Sequence, residues 1–165
     1  MSDTGARVVA GLTRRGLTVA VAESLTGGLL VAELIRTPGA SATVLGGVVA
    51  YNTALKHSVL GVDAALLADR GAVDAEVARQ MADRVRSALA VDGRPADVGI
   101  STTGVAGPEP QDGQPVGTVY LGFAFGNDVR SVALRLSGDR DGIRSAVVSE
   151  SLAQLNALLD EWTRE

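Results

Sequence analysis

Residues 17–35 read LTVAVAESLTGGLLVAELI. Residues 17–21 are a β-type run, and residues 29–35 repeat their apolar side chains at helical spacing. Between them the stretch AESLTGG, residues 22–28, has to turn a strand into a helix. In an open α/β sheet the crevice beyond such a strand end is where a nucleophile or an anion is held. Ser24 and Thr26 are the hydroxyls of this turn, beside the free N–H groups of the coming helix. Gly27 and Gly28 leave room for a ligand or a backbone to approach. A serine or threonine here also serves as a plain N-cap, so the turn alone leaves both readings open.

The alternation continues on either side. A helix is expected over 3–15 with Gly16 as its stop, a strand over 18–22 and a helix over 26–36. After a turn at 37–40, residues 44–51 are apolar and β-rich. Short helices are expected over 52–60 and 63–69. A longer one follows over 75–90, capped by Asp74, with Val77, Met81, Val85 and Leu89 on one stripe. Residues 96–103 form a buried-type strand, and 116–125 with 129–137 a hairpin about Gly126-Asn127. Asp139 caps a last helix running to Trp162, with Leu152, Leu155 and Leu159 on its buried face. Strands alternating with helices, then a late hairpin, predict a three-layer α/β/α sandwich with a mixed, mostly parallel sheet. A single domain over 1–165 is expected. The one long loop, 107–117, has the length at which loops are often functional.

Composition narrows the chemistry. With 15 basic and 19 acidic residues the chain is net acidic and shows no basic run, which argues against a nucleic-acid partner. It has no cysteine, which removes thiolate catalysis, disulfides and cysteine-zinc sites. One histidine, His57, removes a polyhistidine metal site. No signal peptide and no apolar run of membrane-spanning length is present, so a cytoplasmic location is expected.

Three further groups carry candidate chemistry. In Tyr51-Asn-Thr-Ala-Leu-Lys56, a partly desolvated lysine near a serine can be neutral and act as its base. A solvated lysine beside a core tyrosine fits the same letters. Lys56 and His57 are the chain's only lysine or histidine bases, and a triad through His57 would displace Lys56. In Ser101-Thr-Thr-Gly-Val-Ala-Gly-Pro108, Thr103, Gly104 and Gly107 form either a backbone nest for an anion or an ordinary Gly-Pro turn. In Gly138-Asp-Arg-Asp-Gly-Ile-Arg144, Arg140 and Arg144 share a helix face and either take a phosphate or pair with Asp139 and Asp141. Pairing suits Arg140 better, and the two readings are even for Arg144.

Taken together, AESLTGG, GGVVAYNTALKHSVLGV, GAV before a helix, TTGVAGP, PVGTVYLGF and SGDRDGIR occur in this order along residues 5–160. The chain resembles the CinA carboxy-terminal domain family, the nicotinamide mononucleotide deamidases also called PncC. The larger CinA proteins carry a further N-terminal domain, and this chain looks like the stand-alone form. The resemblance implies an α/β/α fold with a mixed sheet. It implies hydrolysis of the nicotinamide mononucleotide carboxamide by a serine-lysine mechanism, with neither metal nor other cofactor. By the matching motifs the nucleophile falls on Ser24 and the base on Lys56, with Tyr51 beside it, and further family positions fall on Ser41, Thr103 and Arg144. With the turn residues Thr26, Gly27, Gly28, Gly104 and Gly107 read above, these are the expected substrate contacts. The expected partner is a small nucleotide, with neither nucleic acid nor membrane, and the expected state is a homo-oligomer, a dimer first. A nucleotide-binding module without catalysis and a hydrolase of a different amide are the alternatives. One departure stands out: the family's glycine- and serine-rich loop is here Glu109-Pro-Gln-Asp-Gly-Gln-Pro115.

Overall fold

The computed structural model describes residues 3–162. Its strands are β1 (Val19–Glu23), β2 (Val44–Val49), β3 (Val98–Gly104), β4 (Thr118–Phe125) and β5 (Asp128–Arg135). Its α-helices are α1 (Thr4–Arg15), α2 (Leu29–Ile35), α3 (Thr53–Ser58), α4 (Ala64–Arg70), α5 (Ala75–Ala88) and α6 (Arg140–Trp162), with a 3-10 turn at Ala40–Ala42. One sheet has the order β2-β1-β3-β4-β5. β1 pairs in parallel with β2 and β3, and β4 pairs antiparallel with β3 and β5. Four strands therefore point one way and β4 alone runs against them. The sheet is mixed and mostly parallel by direction.

Strand alternation splits the core into two faces. Val19 and Val21, Val98 and Ile100, and Val119, Leu121 and Phe123 meet apolar residues of α1, α2 and α6 on one side. Ala20 and Ala22 face Val77, Met81 and Val85 of α5 and Leu67 of α4 on the other. That is the three-layer arrangement. Where α5 crosses it, the sheet presents small residues: Ala20 and Ala22, Gly99 and Ser101, and Gly122. A Cβ at Gly99 would stand 1.8 Å from the Ala82 carbonyl oxygen, and one at Gly122 would stand 2.1 Å from that of Ala78. Two glycines thus let the α5 backbone lie directly on β3 and β4.

The helix expected from residue 26 starts three residues later. Gly27 (φ 59°) and Gly28 (φ 103°) are left-handed, which no α-helix admits. Gly28 has no side chain with which to cap α2. The carboxylate of Glu23, wholly buried at the end of β1, does so instead. It accepts the N–H groups of Leu30 (2.9 Å) and Val31 (3.1 Å), the second and third helical residues. Elsewhere the caps are local: Gly16 at the end of α1 is left-handed, and the Asp74 carboxylate accepts from Glu76 and Val77. Gly126 supplies the positive φ that the two-residue turn between β4 and β5 needs at its first position.

Candidate active site

The chain leaves β1 toward β2 on one side and returns, through α3–α5, to β3 on the other. The crevice beyond β1 and β3 is thus a topological switch point, the place where open α/β sheets take ligands. A cleft of about 330 Å³ opens there. Ser24 and Leu25, which follow β1, form its floor, and Gly104 to Pro108, the last residue of β3 and the four after it, form a wall. Tyr51, Glu109, Pro110, Gln111 and Arg140 complete the lining.

Ser24 is held by its backbone. Its N–H donates to the Thr102 carbonyl oxygen (3.0 Å) and its own carbonyl accepts the Gly27 N–H (3.1 Å). Beneath it lies Lys56, with no exposed surface. Asn52 caps α3 through the Ala54 N–H, and Lys56 on that helix aims its ammonium inward. Nζ donates to Ser24 Oγ at 3.0 Å and to the Ala50 carbonyl oxygen at 2.7 Å. Burial disfavours the charged form and lowers the Lys56 pKa from 10.5 to about 8, while the Asp112 carboxylate pulls it partly back up. A substantial fraction of the amine is then neutral near pH 8 and has a lone pair to offer the serine. His57, the next residue, points elsewhere and engages the Val62 carbonyl oxygen through Nδ1 (2.8 Å).

The two arginines exchange the places expected of them. Arg140 lines the cleft, donating to the Gly107 carbonyl oxygen and to the Tyr51 hydroxyl (3.0 Å). Arg144, the expected phosphate ligand, is tied to the turn: it donates to the carbonyl oxygens of Leu25 (2.8 Å) and Thr26 (3.4 Å) and lies 3.6 Å from Asp141. Its charge is committed to holding the Ser24 loop. Tyr51 lines the cleft with Ser24 and anchors Arg140, and its hydroxyl is hydrogen-bonded to that arginine rather than to Ser24 or Lys56.

Three other expected ligands stand away from the cleft. Thr103 is buried on the α5 side and donates to the Ala72 carbonyl oxygen (2.7 Å). Thr26 is buried and shares a hydrogen bond with Thr102 (2.8 Å). Ser41 sits on the exposed 3-10 turn before β2, at the opposite end of the parallel strands from Ser24. Gly27 and Gly28 belong to the turn but not to the lining, while Gly104 and Gly107 do line the cleft. Thr102 was not singled out from the sequence, although its backbone and hydroxyl oxygens both accept from the Ser24 N–H. Strand alternation separates it from Thr103, but only once the face covered by α5 is known. Among the described residues no three His, Asp or Glu side chains are grouped to hold a metal ion.

Comparison with known proteins places this architecture. The CinA C-terminal domain model matches residues 2–159. A CinA-like protein of Frankia casuarinae is 48% identical over 148 residues, covering 90% of this chain and 33% of that protein. A CinA-like protein of Gloeobacter violaceus is 44% identical over 154 residues, covering 92% of this chain and 35% of that protein. The chain spans about a third of the length of these relatives. A competence-damaged protein (CinA) superfamily protein from Klebsiella pneumoniae has a crystal structure that superposes with a TM-score of 0.91 at 32% identity, covering 97% of this chain and 98% of that one. A model match over nearly the whole length, close relatives and a shared fold together mean that the chain belongs to the CinA C-terminal domain family.

Proposed function

We propose that the chain is an amidohydrolase that converts nicotinamide mononucleotide to nicotinate mononucleotide and ammonia. The buried Lys56–Ser24 contact at 3.0 Å carries this reading. A nucleotide-binding module has no use for a lysine wholly removed from water with its pKa lowered to about 8. A serine that must be deprotonated does.

Neutral Lys56 takes the proton of Ser24 as Oγ bonds to the carboxamide carbon, whose electrophilicity the cationic pyridinium raises. Nζ returns that proton to the amide nitrogen, the C–N bond breaks, and ammonia leaves an ester on Ser24. Water then adds to the ester with Lys56 again as base, and Oγ leaves with the proton. The oxyanion takes its donors from the turn. The Gly27 N–H is spent on the Ser24 carbonyl, which leaves the Leu25, Thr26 and Gly28 N–H groups of the turn for that role. One such donor typically lowers the barrier by about 3 kcal/mol.

Arg140 is the cation of the cleft and holds the phosphate in this reading. A guanidinium carries five N–H donors in a planar fork, and those not directed at Gly107 and Tyr51 remain for phosphate oxygens. Purified protein with nicotinamide mononucleotide should release ammonia, and Ser24→Ala, still folded by circular dichroism, should release none. Turnover retained in that variant would sink the mechanism, and an inert parent protein would sink the substrate.

A further inference from the structure

The loop that departs from the family pattern is a structured hairpin. Gln111 and Gln114 exchange backbone hydrogen bonds (3.1 and 2.8 Å) around Asp112 and Gly113, whose φ angles are 50° and 75°. Two left-handed residues in succession make the tight turn that Asp-Gly favours. Its tip is docked against the rest of the molecule. Asp112 Oδ2 accepts the N–H of Ala72 at 3.1 Å. Gly71 lies so close that a Cβ there would stand 2.8 Å from the Asp112 side chain. Ala72 is buried, and its carbonyl oxygen accepts the Thr103 hydroxyl. The end of β3 and the hairpin tip therefore grip the same residue through its two backbone groups. The arm that leads into the turn, residues 109–111, lines the cleft shared by Ser24 and Arg140.

We propose that Asp112 is a positioning residue for substrate binding: its carboxylate latches the hairpin to the Ala72 amide and so holds the 109–111 wall of the cleft in place. A hydrogen bond from a backbone N–H to a carboxylate is charge-assisted and stronger than a neutral one. Asparagine keeps an acceptor at that place, whereas alanine has none. The identity of the bound substrate rests on the function proposed above, but the latch does not.

The test pairs Asp112→Ala with Asp112→Asn in the full chain. Amide exchange at Ala72, read by mass spectrometry on short peptides, should quicken in Asp112→Ala and stay near the parent rate in Asp112→Asn. With nicotinamide mononucleotide at pH 9.5, above the Lys56 ionisation that the Asp112 charge shifts, Asp112→Ala should raise KM on the order of tenfold with kcat nearly unchanged, and Asp112→Asn should restore most of that loss. General structural damage would lower kcat as well and would not be rescued by asparagine. Unchanged Ala72 exchange in Asp112→Ala overturns the proposal, and so does an asparagine variant as impaired in KM as the alanine one. If the parent protein proves inert towards nicotinamide mononucleotide, the proposed function fails, and the exchange measurement, which needs no substrate, still decides the latch.

Discussion

At the scale of single residues, Lys56 couples stability to activity. Its pKa is about 8 in the folded protein and 10.5 as an unperturbed lysine. Between those values the unfolded chain holds a proton that the folded chain has lost, so stability rises with pH across that window. Below pH 8 both states are charged and the full cost, on the order of 3 kcal/mol, is present. Denaturant titrations from pH 7.5 to 10.5 should show the parent gaining stability relative to Lys56→Met, which lacks the ionisation; parallel curves would mean that the amine is not desolvated. The same ionisation should set the acid limb of kcat/KM. Activity should rise about tenfold per pH unit up to pH 8 and then level. The arginines separate by substrate. Arg140→Ala should raise KM tens-fold on nicotinamide mononucleotide and leave nicotinamide riboside, which has no phosphate, unaffected. Arg144→Ala removes the support of Leu25 and Thr26 and should lower kcat on both substrates alike. Steady-state kinetics on the two substrates separates these outcomes. Four residues apart on one helix face, the two arginines cannot be told apart by spacing, because the choice depends on where α6 crosses the Ser24 turn.

At the scale of elements, the α5 backbone lies directly on the sheet. At Gly122 a methyl group would need the space of the Ala78 carbonyl and of the Ser101 hydroxyl, which itself donates to that carbonyl at 2.6 Å. Gly122→Ala should therefore cost about 3 kcal/mol, the upper end for overpacking, and lower Tm by about 10 °C. A thermal melt within 2 °C of the parent, about the shift from 1 kcal/mol in a domain of this size, would mean that α5 shifts freely on β3 and β4. Elements with local signals were readable in the sequence: the α1 stop at Gly16, the Asp74 cap, the Gly126-Asn127 turn and the stripe of α5. The hairpin at 111–114 had the same kind of signal in Asp112-Gly113, obscured by the expectation of a long irregular loop. The start of α2 was not readable, because its cap comes from Glu23 on the preceding strand and the helical apolar pattern does not register a distant carboxylate.

At the scale of the whole molecule, the order β2-β1-β3-β4-β5 puts Ser24, Gly104 and Gly107 at one end of the sheet, and α6 brings Arg140 to that end as its first residue. The other end of α6 is fastened by Trp162, stacked on Phe125 at 5.1 Å and donating to Asp128. The general site was readable because a switch point follows from the alternation of elements. Its lining was not, since Tyr51, Arg140 and the 109–111 arm meet only in three dimensions. The burial of Lys56 has one more consequence. It is the only lysine in the chain, so the folded protein offers amine-reactive reagents no side chain on its surface. Acylation of Lys56 by an N-hydroxysuccinimide ester should proceed only through openings of the Ser24 pocket, at a rate that reports how often they occur. Mass spectrometry of the Lys56 peptide over time should show slow modification that nearly stops when nicotinate mononucleotide fills the cleft. Prompt labelling would mean the pocket breathes far more than its packing implies, and the chain's single lysine would then be the chemical clock by which that breathing is counted.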